Sequence, residues 1–161
     1  MYSMNRILGF FFSTVFSIFF GSQITEGCLL VPYWKTLSTT EFYEYYAQFG
    51  LKIGKFYTTL TVIAALIPIG ISFYCFYIKS KARTYSLIAS FFTFLCIALF
   101  YTYFKGINQQ FFEANLNATQ LKEALVIWGY LHWMRVVFEF LTLIFLILTI
   151  NVLTNKRIEY E

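Results

Sequence analysis

Long apolar stretches alternate with short polar breaks along this chain. Four runs reach the roughly 20 mainly apolar residues needed to cross a hydrocarbon core of about 30 Å: residues 7–31, 56–78, 85–104 and 127–153. Lipid offers no hydrogen-bonding partners to a backbone, so each run is predicted to be a helix that satisfies its own amides. Short connections make neighbours antiparallel, which predicts an all-α transmembrane four-helix bundle of up-down-up-down topology, one domain over residues 1–161. Ser38 and Glu41 stand in capping-box spacing, and Phe42, Tyr45, Tyr46 and Phe49 follow at helical spacing. An additional short helix is therefore expected in the first connection, either lying along the interface or running through Gly50 and Gly54 into the second span. Pro32-Tyr33-Trp34 reads as a helix stop and aromatic anchor, Pro68 as a kink, and residues 105–126 as the longest, partly helical connection.

Composition agrees with this pattern. Hydrophobic residues make up 59% of the chain and charged residues 12%, against about 25% charged in a soluble domain. The chain reads as an integral membrane protein with the lipid bilayer as its first partner. Arg6 ahead of a Phe-rich run resembles a signal peptide, but no small-x-small pattern follows Phe20 and Thr25-Glu26-Gly27-Cys28 lacks the apolar residue of a lipoprotein box, so the first run is read as a retained span. Cys28, Cys75 and Cys96 show no C-x-x-C spacing and read as buried packing residues. Ser13, Ser17 and Gly21 repeat a small residue every four positions, which would let another helix approach closely. The net charge of +4 forms no basic stripe, so nucleic acid is a poor candidate partner. Asn117-Ala118-Thr119 matches a glycosylation sequon, a three-residue pattern of little weight.

Four spans put both termini on one side. Arg6, Lys79, Lys81, Arg83, Lys156 and Arg157 would share that side, against Lys35, Lys52, Lys55, Lys105 and Lys122 on the other. The concentrated Lys-Ser-Lys-Ala-Arg turn favours cytoplasmic termini.

The chemistry concentrates on the fourth run. Trp128, His132, Arg135 and Glu139 fall at i, i+4, i+7 and i+11, one face of a single helix. Ionisable groups within a bilayer are costly, so they face a protein interior or a wet cavity. On the first run Gln23 and Glu26 lie one turn apart at a similar depth, and an antiparallel arrangement would bring Glu26 toward Arg135 or His132. With Asn108 nearby, the set supplies an acid or base, an anion clamp and a hydrogen-bonding amide, as a pocket for a hydrophobic small molecule would need. The same residues also suit a closed ion-pair network that fixes helix register in a scaffold or accessory subunit, whose partner would be a second copy or another membrane protein. No H-x-x-H, E-x-x-H or C-x-x-C spacing points to a metal and no cofactor motif occurs, so neither is expected.

Several of these features together resemble the anthrone oxygenase-like family of small four-span membrane proteins. They are Gly21 followed by Glu26 and Pro32-Tyr33-Trp34, Asn108 just after the third run, and Trp128-x-x-x-His132-x-x-Arg135 opening the fourth. Family members often approach the asparagine through a proline, where this chain has Lys105-Gly106-Ile107. The named activity in that family is cofactor-independent oxidation by O₂ of an activated carbon in polyketide anthrones. The resemblance implies that His132 is the base, that Arg135 holds the oxyanion, and that Asn108 and Trp128 orient the ring.

Overall fold

A computed structural model describes residues 6–155. Lys156 and Arg157, which entered the orientation argument, lie outside the described residues. Four helices long and apolar enough to span a membrane account for the fold: α1 (Arg6–Thr36), α2 (Thr39–Tyr77), α3 (Arg83–Phe112) and α4 (Ala118–Asn155). No strand occurs among the described residues. The protein is an all-α integral membrane protein.

The helices outrun the apolar stretches that announce them. The capping box at Ser38 is present, with the Ser38 amide donating to Glu41 Oε2 at 2.8 Å and the Glu41 amide donating back to Ser38 Oγ. The helix it starts is not a separate interfacial element: it continues through Gly50 and Gly54 as the first part of α2. Pro32 does not stop α1 either, which runs on to Thr36 and ends at an extended Leu37. A wide i→i+5 turn at Glu26–Leu30 immediately precedes Pro32. That turn removes the reason to stop, because proline breaks a regular helix by clashing with the carbonyl four residues back. Continuing the helix also rotates Trp34 inward, where it is buried instead of anchoring the interface. At the far end of α3 the helix extends to Phe112, so the connection expected over residues 105–126 shrinks to a turn before Ala118. Asn117 caps α4 reciprocally with Gln120.

Two apolar clusters hold the bundle, one in each half. On the side of the termini, Phe16, Phe19, Ala64, Ile67, Ile71, Cys75, Ala82 and Leu146 pack together. There Ser90 donates to the Pro68 carbonyl at 3.1 Å and meets Ser72, joining α2 to α3. On the other side Trp34, Phe42, Tyr46, Phe104, Phe111 and Trp128 form an aromatic cluster of mostly edge-to-face rings. Three wide turns, Glu26–Leu30, Tyr46–Gly50 and Phe100–Phe104, all lie in this second half, one on each of α1, α2 and α3. Gly50 is required at its turn, since a Cβ there would stand 2.7 Å from the Tyr46 ring.

One expectation fails on exposure. Cys28 is exposed on the outer face of α1, unlike buried Cys75 and Cys96, because the wide turn that carries Glu26 inward carries Cys28 outward. Ser17 and Gly21 also face outward, so their small-residue stripe brings no helix of this chain close.

Candidate functional site

Between the two clusters lies a polar layer built from α1 and α4. Gln23, Glu26, His132 and Glu139 are each at least 95% buried, and Arg135 is 15% exposed. Arg135 Nη2 donates to Gln23 Oε1 at 2.6 Å, to Glu26 Oε2 at 3.2 Å and toward His132 Nδ1 at 2.9 Å. Two hydrogens thus serve three acceptors, so at least one bond is shared. The guanidinium also lies over the Phe104 ring, 4.9 Å from its centre.

These partners dictate the tautomer of His132. A guanidinium can only donate, so the ring nitrogen facing it, Nδ1, must accept. The other nitrogen, Nε2, lies 2.9 Å from the Gln23 carbonyl, which can only accept, and therefore carries the hydrogen. The imidazole is a neutral bridge from the α1 backbone to Arg135, stacked on Trp128 at 5.1 Å and 12°. Gly27 makes room for it, since a Cβ there would come within 3.0 Å of the ring. Trp128 in turn donates its indole N–H to Asn108 Oδ1 at 3.0 Å, which ties α4 to α3.

Beside this layer is a cavity of about 410 Å³, within the range of about 300–1,000 Å³ found for small-molecule sites. Glu26, Asn108, Trp128, Arg135 and Glu139 reach its wall; Gln23 and His132 do not, and stand behind it. Of the α4 face read from spacing, Trp128, Arg135 and Glu139 line this cavity. The pocket divides that face, leaving His132 on the closed side and Glu139 on the open side.

Three polar atoms of wall residues are buried without a hydrogen-bond partner: Trp34 Nε1, Arg135 Nε and Glu139 Oε2. Arg135 Nε and Glu139 Oε1 are 3.8 Å apart, an ion-pair distance too long for a hydrogen bond. Two neighbouring wall residues thus each carry an unpartnered polar atom, a donor and a carboxylate oxygen, just beneath the cavity surface. A hydroxyl group fits such a pair, accepting from one and donating to the other.

The sequence reading missed Trp34, Tyr46, Tyr57 and Phe104 as wall residues. It also missed the stripe Gly50, Gly54, Thr58, Thr61 and Ala65 on α2, which presents short side chains to the cavity. That stripe repeats at helical spacing and was the available signal. No cluster of three or more possible metal ligands occurs among the described residues. No protein family, curated protein or solved structure matches this chain, so the anthrone oxygenase-like resemblance rests on its short motifs alone.

Proposed function

We propose that the protein binds a small, mainly apolar molecule bearing a hydroxyl, phenolic in character, inside the membrane, with the hydroxyl seated between Arg135 and Glu139. The observation that carries this reading is that Arg135 and Glu139, which line a mainly apolar cavity, each hold an unpartnered polar atom, Nε and Oε2, just beneath its wall. A buried polar group without a partner costs about 1–3 kcal/mol, and a ligand that supplies both partners recovers that cost.

The family resemblance takes the proposal one step into chemistry, with the base moved from His132, the residue the resemblance implies, to Glu139, because His132 stands behind the cavity wall. Glu139 accepts the hydroxyl proton, Arg135 stabilises the oxyanion, and the activated CH₂ carbon of an anthrone-like substrate reacts with O₂ to give a carbonyl and water. In this scheme His132 is a positioning residue. It presents an acceptor to Arg135 and, through Gln23, fixes the guanidinium relative to α1.

The test is titration of detergent-purified protein with 1-naphthol, read by quenching of the Trp34 and Trp128 fluorescence, with naphthalene as the control lacking a hydroxyl. Saturable quenching by 1-naphthol that weakens at least about tenfold in Glu139→Gln is expected, the loss of roughly one charge-assisted hydrogen bond. Equal binding of naphthalene, or an unaffected Glu139→Gln variant, would overturn the hydroxyl seat. Conversion of anthrone to anthraquinone under O₂ tests the chemical step separately.

A second reading is favoured by one observation, that Gln23, Glu26, His132 and Arg135 already form a closed knot between α1 and α4. On that reading the layer sets helix register in a scaffold or accessory subunit, and the cavity is incidental. We also propose cytoplasmic termini, from the Lys79, Lys81 and Arg83 turn. A reporter fused after Glu161 should behave as cytoplasmic, and an external reporter would reverse the orientation.

A further inference from the structure

We infer that the cavity is open sideways to the lipid, through a window between α2 and α3, and that its ligand is a membrane-dissolved amphiphile which enters from the hydrocarbon and not from water. This rests on the reading of the cavity as a ligand site.

Exposure locates the opening. Val62 and Leu66 on α2 and Tyr101 on α3 line the cavity and yet are 54%, 63% and 66% exposed. No wall residue contributed by α1 or α4 is exposed. A side chain that both touches the cavity and faces outward marks a rim, and all such residues belong to these two helices.

The ties between α2 and α3 explain why a gap exists there. At one end Ser90 bonds to Pro68 and Ser72. At the other, Phe42 and Tyr46 pack on Phe111 at 5.2 and 5.6 Å. Between Tyr46 and Pro68, roughly 30 Å of helix at about 1.5 Å per residue, no hydrogen bond or ring contact links the two helices among the described residues. The side chains facing the gap on α2 are short, and a Cβ added at Gly54 meets nothing within 4 Å. In a bilayer, small residues usually mark close approach of a second helix. Here they face open volume.

The other side of α2 is latched. Tyr57 donates its hydroxyl to the Ser22 carbonyl of α1 at 3.4 Å, separating the cavity from a shallower groove between α1 and α2. The aqueous end above the cavity is capped by the packed rings of Trp34, Phe42 and Phe111. The window opens at the depth of the apolar stretch of α2, so the molecule that uses it must already be dissolved among the acyl chains. Its apolar body passes between the helices while its hydroxyl moves inward to Arg135 and Glu139.

The experiment is photolabelling in phosphatidylcholine vesicles with 3-(3-hydroxyphenyl)-3-trifluoromethyl-diazirine, a lipid-partitioning phenol, and with its ring-sulfonated analogue, which stays in water. Labelled residues are read by peptide mass spectrometry. The lipid-soluble probe should label the peptides bearing Thr61 and Trp128 as well as the window residues Val62 and Leu66, while the sulfonated probe should label neither. In a Gly54→Leu/Val62→Trp variant that narrows the window, labelling at Trp128 should be lost, while labelling at lipid-facing Phe73 persists as evidence of a folded, inserted protein. Cavity labelling by the sulfonated probe, or undiminished Trp128 labelling in the narrowed variant, would leave the ligand site standing and overturn the window. Protection of Val62 and Leu66 in the unmodified protein would mean that another protein surface covers the gap, and would overturn it too. Cavity labelling by neither probe would remove the site and the window together. Should the double variant lose Phe73 labelling, Leu66→Trp alone replaces it with the same expected loss at Trp128.

Discussion

The two halves of the bundle use the same four helices to opposite ends. Toward the termini the interior is filled: Ala64, Ile71, Cys75 and Leu146 leave at most 5% of their surface exposed, and hydroxyls such as Ser90 are spent on bonds between helices. Beyond Glu139 the helices carry wide turns, charges, aromatic rings and an unfilled cavity. In lipid no hydrophobic force draws apolar helices together, so close packing and polar bonds must do it. The filled half and the Arg135 knot supply that adhesion. The open half can then leave volume and polar atoms unsatisfied without the bundle coming apart.

The widest effect should come from cutting the knot that borders both halves. Arg135→Ala strands Gln23, Glu26, His132 and Glu139 at once, and unfolding in detergent followed by circular dichroism should show a loss of about 3–5 kcal/mol, as for removing one partner of a buried pair. Arg135→Lys should recover only part of it, because a point charge cannot reach several acceptors as a planar fork does. Unchanged thermal stability would show that the knot does not hold the halves together.

Next in size is Leu146→Ala in the filled half, about 2 kcal/mol by the same measurement. That is the low end of the range for soluble cores, since in lipid only lost packing counts. A cost near zero would mean that the halves do not differ in packing.

Two glycine substitutions sharpen the contrast further. Gly27→Ala pushes a methyl against a ring already held by Trp128, Gln23 and Arg135, and should cost about 1 kcal/mol. Gly54→Ala meets nothing and removes backbone freedom, so it should be neutral or stabilise by up to about 1 kcal/mol. Equal effects at the two positions would erase the distinction between a braced wall and an open one.

How far the sequence announced this arrangement depends on the kind of feature. The four spans were legible from hydropathy because each is a local property of about 20 residues. The meeting of Glu26 with Arg135 was legible from depth along antiparallel helices, and the shared face of Trp128, His132, Arg135 and Glu139 from the 3.6-residue period. The continuation of α1 through Pro32 was not, because it follows a wide turn at Glu26–Leu30 that no local pattern marks. The cavity was hidden for a related reason. It is a distance between helices, and no single helix encodes how far its neighbour stands. The division of α4 between a closed side at His132 and an open side at Glu139 follows from that distance, so spacing alone could name both residues without separating their roles.

The wide turns have a consequence for how this chain tolerates change in length. Each i→i+5 turn holds one residue more than a regular turn, so deleting one residue within Glu26–Leu30 would restore an ordinary helix without shortening its apolar span appreciably. Everything beyond would then keep its phase, whereas a residue deleted from a regular stretch of the same helix would shift it by about 100°. Trp34 would stay on Trp128 and Val31 inside, with Gln23 and the residues before it also in place. The wide turn thus absorbs a change of one residue, and one continuous helix goes on presenting a polar layer at Gln23 and an aromatic wall at Trp34 to the same partner.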